Sequence, residues 1–433
     1  MNPTRFVSAD EAVSHIKSHS HVHLSSVASV PHILIQALCR RADAGDVTDL
    51  KFHHFHTEGP APYSEPKYEG IFTEQGFFVG PNVRANVNAG YADYLPVHLG
   101  ESQALYRSGV IKLGAALVQV SLPDANGYVS LGTSVDCSIA AIESAELRIA
   151  VVNPNVPFAH GDLIHISSFD YLVEDDTPLI TKDFAVPTPT EEIIGRNCAE
   201  LVEDGDCIQM GIGALPNALA AQLSGHKNLG LHTEMFADGL MRLIKAGVIN
   251  GANKAIDKGC VVASFLLGSN ELYSFINDNP GVLMKDIQYT NDPWIISRNP
   301  HMKAINSATE VDLTGQISAD SIGTRIFSGT GGQLDFVRGA TMSKGGKSIT
   351  AFASRTLKGK NKIVAVLNPG AGVVTPRADA HWIVTEYGAV DLYGRPLQER
   401  AKLLISIAHP DDREMLDRQA FERFGPHYHN FSI

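Results

Sequence analysis

Cys207-Ile208-Gln209-Met210-Gly211-Ile212-Gly213-Ala214-Leu215-Pro216-Asn217, followed by Leu229-Gly230-Leu231-His232-Thr233-Glu234, is the stretch that decides the fold. A short apolar run bounded by turn residues reads as a buried strand. Asp204-Gly205 turns the chain into it, and Gly211 and Gly213 turn it out again into a helix predicted over residues 217–223. Upstream, Thr188-Pro189-Thr190-Glu191 has the form of a helix start, with a hydroxyl at the cap and proline at the first helical position. Ile193, Ile194, Leu201 and Val202 then supply apolar residues at helical spacing. The order is helix, strand, glycine turn, helix, strand, and it ends on Glu234.

The first half repeats this order. Ser8-Ala9-Asp10-Glu11 opens a helix predicted over residues 9–18, a strand follows at 22–26, and a turn through Ser29-Val30-Pro31 leads into a helix from Ile33. Ser26-Val27-Ala28-Ser29-Val30-Pro31 therefore stands where residues 211–216 stand in the second half. The echo continues in His56-Thr57-Glu58-Gly59 against His232-Thr233-Glu234. Strands alternating with helices predict α/β domains with largely parallel sheets. At 433 residues two such domains are expected. The proline-bearing segment Asp183-Phe184-Ala185-Val186-Pro187-Thr188-Pro189-Thr190 is the expected linker, giving domains 1–186 and 187–433, the second carrying Glu234.

The formal net charge of −12 argues against the basic face of a nucleic-acid-binding protein, though not against an anionic ligand in a local pocket. Cys39, Cys137, Cys198, Cys207 and Cys260 are odd in number, scattered and without a CxxC pair, as expected of reduced structural thiols. Neither an apolar leader nor a run of about 18 apolar residues occurs, so the expected location is the cytoplasm, with no membrane partner. His19, His21 and His23, with His53, His54 and His56, invite a zinc reading. No carboxylate or cysteine stands at ligand spacing, however, so buried histidines are preferred and no metal is expected.

Four segments are candidates for chemistry. Glycines between strand and helix, at residues 211–215, let the backbone approach a ligand beside the N–H groups of a helix start, a way to hold an oxyanion or phosphate. A tight turn reads equally well, and the third glycine of a dinucleotide fingerprint is missing. Glu234 lies at the carboxyl edge of a predicted sheet, where open α/β folds place ligands; a base, a nucleophile and a structural acceptor all stay open. Ser328-Gly329-Thr330-Gly331-Gly332-Gln333-Leu334-Asp335 is a candidate anion-binding nest, with Gln333 and Asp335 as hydrogen-bonding partners of a carrier. In residues 386–400 the preferred reading of Glu399-Arg400 is a surface charge pair.

Together these segments resemble the acetyl-CoA hydrolase/transferase family of class I coenzyme A transferases, especially its 4-hydroxybutyrate and butyrate types. The resemblance covers nearly the whole chain. It includes Asn86-Val87-Asn88-Ala89-Gly90-Tyr91-Ala92-Asp93-Tyr94-Leu95-Pro96, Pro123-Asp124-Ala125-Asn126-Gly127-Tyr128 and Val152-Asn153-Pro154-Asn155. Members typically continue Met-Pro-Arg-Thr after the last of these, whereas Val156, Pro157, Phe158 and Ala159 follow here, which leaves the acyl specificity open.

The resemblance implies the CoA-transferase (NagB/RpiA-like) fold and a ping-pong transfer of CoA between a short acyl-CoA, such as acetyl-CoA, and a short carboxylic acid. It assigns Glu234 as the nucleophile. It assigns Gly211, Ile212, Gly213, Ala214 and Leu215, with Gly329, Gly331, Gly332 and Gln333, to CoA binding. CoA is a substrate and no prosthetic group is needed. The backbone N–H groups of Gly211–Ala214 and the amide of Gln209 are candidate oxyanion donors. Glu58, the duplicate of Glu234, lacks the glycine turn and is expected in the acyl pocket. A homo-oligomer is expected from symmetry statistics. The alternatives are an acetyl-CoA hydrolase using the same glutamate, a nicotinamide-dependent dehydrogenase, and a non-catalytic carrier-binding module.

Overall fold

The computed structural model describes residues 5–430. The chain forms two compact units. The first comprises Met1–Asp183, Thr233–Asp238 and Cys260–Asp292; the second comprises Phe184–His232, Gly239–Gly259 and Pro293–Ile433. Segments 233–238 and 260–292, which chain order assigns to the second half, thus cluster with the first. Strand pairing is the reason. Met235–Phe236 pairs in parallel with Phe265–Leu266, and Val261–Ala263 pairs with Val282–Met284, which pairs in turn with His160–Gly161.

The first unit is built on an eight-stranded sheet in which every neighbouring pair is parallel. At its centre His21–Leu24 lies beside Leu113–Val120. From His21–Leu24 the chain steps outward through Leu50–His53 and Phe72–Gly76; from Leu113–Val120 it steps the opposite way through Leu147–Val152 and Tyr171–Glu174. Val22, Leu24, Leu34, Leu38, Phe52, Leu117 and Ile149 are buried in its core.

The second unit repeats the plan. Its six-stranded sheet runs Gly230–Leu231, Cys207–Met210, Met302–Asn306, Lys347–Ala351, Trp382–Thr385, Gly388–Asp391, parallel except for the last pair. Here too the winding reverses, between Cys207–Met210 and Met302–Asn306, the second and third strands of the sheet. In open α/β sheets such a reversal leaves a crevice at the carboxyl ends of the strands.

The helix starts follow local chemistry. Thr188 caps Pro189–Ala199 with a complete capping box, its Oγ1 accepting from Glu191 N while the Glu191 carboxylate accepts from Thr188 N at 2.8 Å. The helix ends before Leu201 and Val202, and of its two isoleucines only Ile194 is buried; Ile193 is 40% exposed, since consecutive residues point about 100° apart. Ser8 caps Ala9–Ser14, shorter than the predicted span. Beyond Met210 the helix is Ala214–Gln222, so Ala214, Leu215 and Pro216 form its first turn and the glycine turn is only residues 211–213.

Candidate active site

In the first unit, the residues around Glu234 are fixed by backbone pairing. Thr233 N donates to Val262 O at 3.0 Å, and the Glu234 carbonyl accepts from Ser264 N at 3.0 Å and Phe265 N at 3.1 Å. The half-buried carboxylate accepts at Oε2 from Asn291 Nδ2 at 2.6 Å. Asn291 is fully buried at the C-terminus of the short helix Ile287–Thr290. A short hydrogen bond to a charged acceptor is strong and directional, so it orients the carboxylate. Sequence reading missed Asn291, which lies 57 residues from Glu234. Its one local signal is an asparagine ahead of Asp292-Pro293, which marks a helix end.

Glu58 lies in the same unit but is engaged differently. Its Oε1 takes an ion pair from Lys182 Nζ at 2.8 Å, with His56 Nε2 at 3.7 Å. Burial holds the His56 imidazole below its ordinary pKa. A cation thus pairs with Glu58, and a neutral amide donates to Oε2 of Glu234. The turns preceding them differ as well. In the first unit Ser25, Ser26 and Ser29 are fully buried; Ser25 Oγ donates to Ser29 O, Ser26 Oγ accepts from Phe55 N, and Ser29 Oγ bonds Thr133 Oγ1 at 2.6 Å. Serine side chains tie that turn shut.

The equivalent turn of the second unit is open. A cavity of about 300 Å³ lies at the central crevice, lined by residues 211–216, by Ile305, Asn306 and Ser307, by Ala351, and by Glu191 and Cys198. A Cβ added at Gly211 or Gly213 would meet nothing within 4 Å, and Gly213 has φ +118°, which disfavours a side chain on backbone grounds. Gln209 is buried beside Asn306, whose Nδ2 reaches its Oε1 at 3.5 Å. Residues 329–332 lead into the helix Gln333–Met342, with Gly331 at φ +60°. Gln333 Nε2 donates to Thr375 Oγ1 at 3.2 Å, so part of its amide already serves the fold, and Asp335 is buried on that helix.

One expectation is corrected. Glu399 pairs with Arg395 at 2.7 Å, whereas Arg400 is buried and bonded to the carbonyl oxygens of Arg395, Thr314 and Arg377. It braces loops instead of forming a surface pair with Glu399. The histidines also have partners that spacing did not reveal. His21 Nδ1 contacts His53 Nε2 at 2.7 Å, and His23 bonds Tyr106 and Ser138. Folding brings Asp136 and Cys137 to His23, all three potential ligand atoms within 4.8 Å of one another. His23 is bonded to Tyr106 and Ser138 and both carboxylate oxygens of Asp136 accept from Ser134 and Ser138, while burial pushes the Cys137 thiol well up, so these groups serve the buried hydrogen-bond network.

Comparison with known proteins agrees with this architecture. The Acetyl-CoA hydrolase/transferase N-terminal domain matches residues 2–181 and the corresponding C-terminal domain matches residues 268–420. The succinyl-CoA:acetate/propanoyl-CoA:succinate CoA transferase of Fasciola hepatica is 43% identical over 96% of this chain and 87% of its own length. The 4-hydroxybutyrate coenzyme A transferase of Clostridium kluyveri is 43% identical over 97% of this chain and 98% of its own. The crystal structure of a 4-hydroxybutyrate CoA-transferase from Porphyromonas gingivalis superposes with a TM-score of 0.83 at 38% identity, covering 97% and 98% of the two chains. The chain belongs to the acetyl-CoA hydrolase/transferase family, and these relatives over nearly its full length are coenzyme A transferases.

Proposed function

We propose that the protein transfers CoA between a short acyl-CoA and a short carboxylic acid of the 4-hydroxybutyrate or butyrate type, through a thioester on Glu234. The observation that carries the assignment is the buried Asn291 amide set 2.6 Å from Glu234 Oε2. The Glu234 carboxylate attacks the acyl-CoA carbonyl, and the adduct expels the CoA thiolate to leave a mixed anhydride of Glu234 and the acyl group. The thiolate then attacks the glutamyl carbonyl; the acid departs as a carboxylate and a glutamyl-CoA thioester remains. An incoming acid reverses both steps, so bonds and charges balance without a redox partner. Each addition creates an oxyanion, for which the backbone N–H groups of Gly211–Ala214 and the Gln209 amide are the assigned donors; residues 211–215, Gly329, Gly331, Gly332 and Gln333 are assigned to the carrier. Glu58 is assigned to the acyl pocket.

The reading includes a reducing compartment such as the cytoplasm, supported by five free thiols, and a symmetric homo-oligomer. Among the described residues no helix is long and apolar enough to cross a membrane. Supplying acetyl-CoA with and without 4-hydroxybutyrate or butyrate tests the activity. Appearance of the new acyl-CoA with little free thiol supports transfer; thiol release that ignores the acid identifies a hydrolase.

A further inference from the structure

Both sides of Glu58 are held by contacts within the first unit. Val27 N donates to His56 O at 2.8 Å, and Val27 O accepts from Glu58 N at 3.1 Å. Val27 makes this pairing at φ +57°, in the left-handed region, where a β-branched residue is an outlier. Asn82 Nδ2 donates to Thr57 O at 2.9 Å and to Gly59 O at 3.0 Å. Strain of this kind persists where the surroundings over-determine it, and it clusters at functional sites. The loop is also tied to the neighbourhood of Glu234. The His56 ring lies against Phe265, with centroids 6.4 Å apart, and Phe265 N donates to the Glu234 carbonyl.

The Lys182–Glu58 pair is not what docks its own stretch of chain. Lys182 N donates to Gly268 O at 3.0 Å and the Tyr273 hydroxyl donates to Ile180 O at 2.7 Å, so backbone contacts already fix residues 180–182. Among the described residues the Lys182 ammonium donates only to Glu58 Oε1, and Glu58 Oε2 has no partner. Ammonium N–H donors and a carboxylate acceptor therefore stand side by side and available, with the Glu58 side chain 15% exposed. A hydroxyl is donor and acceptor in one group, so it satisfies both at once. A methyl end would desolvate the pair and return no hydrogen bond, and a second carboxylate has no proton to offer Glu58.

We propose that the Lys182–Glu58 pair recognises the terminal hydroxyl of a short hydroxy acid, and that Lys182 sets the preference for that acid over an unsubstituted or a dicarboxylic one. The hydroxyl donates to Glu58 Oε2 and accepts from Lys182 Nζ. The proposal rests on the transferase reading above and narrows the acid it takes. It gives a role to Lys182, which no motif marks.

The test supplies acetyl-CoA with 4-hydroxybutyrate, butyrate or succinate to wild type, Lys182→Met and Lys182→Arg. Thermal unfolding shows whether each variant is folded. Wild type is expected to favour 4-hydroxybutyrate over both other acids by about tenfold or more in kcat/KM, the worth of one hydrogen bond to a charged group. Lys182→Met should lower the ratio of 4-hydroxybutyrate to butyrate by about tenfold or more. Lys182→Arg, which keeps the charge and the donors, should hold that ratio within about threefold of wild type. A wild type that favours butyrate or succinate overturns the proposal, whether or not the variants fold. A folded Lys182→Met with an unchanged ratio overturns it too, as does an equal loss with all three acids, the mark of a merely structural pair. Lys182→Arg with a ratio as low as that of Lys182→Met does the same. A wild type that makes a new acyl-CoA from none of the acids defeats the transferase reading instead, so the two failures are distinguishable.

Discussion

Asn291 donates to Glu234 from a fully buried position, so the carboxylate is oriented before substrate arrives. Asn291→Ala should lower kcat about a hundredfold while changing KM for acyl-CoA only a few-fold, the signature of a misplaced reacting group. Steady-state kinetics checks this, and an alanine variant with undiminished kcat would remove Asn291 from the account. Residue by residue, the sequence disclosed type far better than partner. Glu234 and Glu58 were legible as duplicates because each follows His-Thr in the same structural order. The Lys182 pair on one and the Asn291 amide on the other were not, because both partners arrive from distant segments.

Among the elements, the strand-to-helix turn at residues 211–213 is the most demanding. Gly213 sits at φ +118° and ψ −171°, a conformation essentially restricted to glycine, with open space where a side chain would go. Gly213→Ala should therefore cost about 1–3 kcal/mol through backbone strain and not through a clash, read as a lower denaturation midpoint with unchanged slope. A variant as stable as wild type would contradict the assigned strain. Helix caps were readable from sequence because their partners lie three residues apart, as Ser8 with Glu11 and Thr188 with Glu191 show. The helix beyond Gly213 was placed three residues late because Pro216 suggested an opening turn; proline in the first turn of a helix sacrifices no intrahelical bond. The parallel pairing of Met235–Phe236 with Phe265–Leu266 left no local trace, so the assignment of segments 233–238 and 260–292 to the first unit had to come from the structure.

At the level of the whole molecule, stability should peak near neutral pH. Burial holds His23, His53 and His54 near pKa 3 and raises Glu74 to about 8. His54 and Glu74 lie 3.5 Å apart, and burial disfavours the charged form of each. The depressed histidines bind protons only in the unfolded chain as pH falls below about 6.5, so acid destabilises the fold there. Glu74 acts oppositely: the folded state keeps its proton between about 4.5 and 8 while the unfolded chain releases it, so its stabilising effect is lost as pH rises through that window. Above pH 6.5 the Glu74 slope remains, about 1.4 kcal/mol per pH unit, and Glu74→Gln should flatten the decline in thermal midpoint between pH 6.5 and 8. An equally steep decline in the glutamine variant would assign it to other groups.

The duplicated plan, the parallel sheets and the family were legible at this scale because they rest on repeated local patterns. The closed serine turn of the first unit and the open cavity of the second were not, since packing alone distinguishes them. The central claim concerns one carboxylate. Incubating the protein with acyl-CoA in the absence of acceptor, followed by proteolysis and mass spectrometry, should place a CoA adduct on the peptide containing Glu234, and Glu234→Gln should abolish both adduct and turnover. An adduct mapped to Glu58, or a fully active Glu234→Gln variant, would contradict the account.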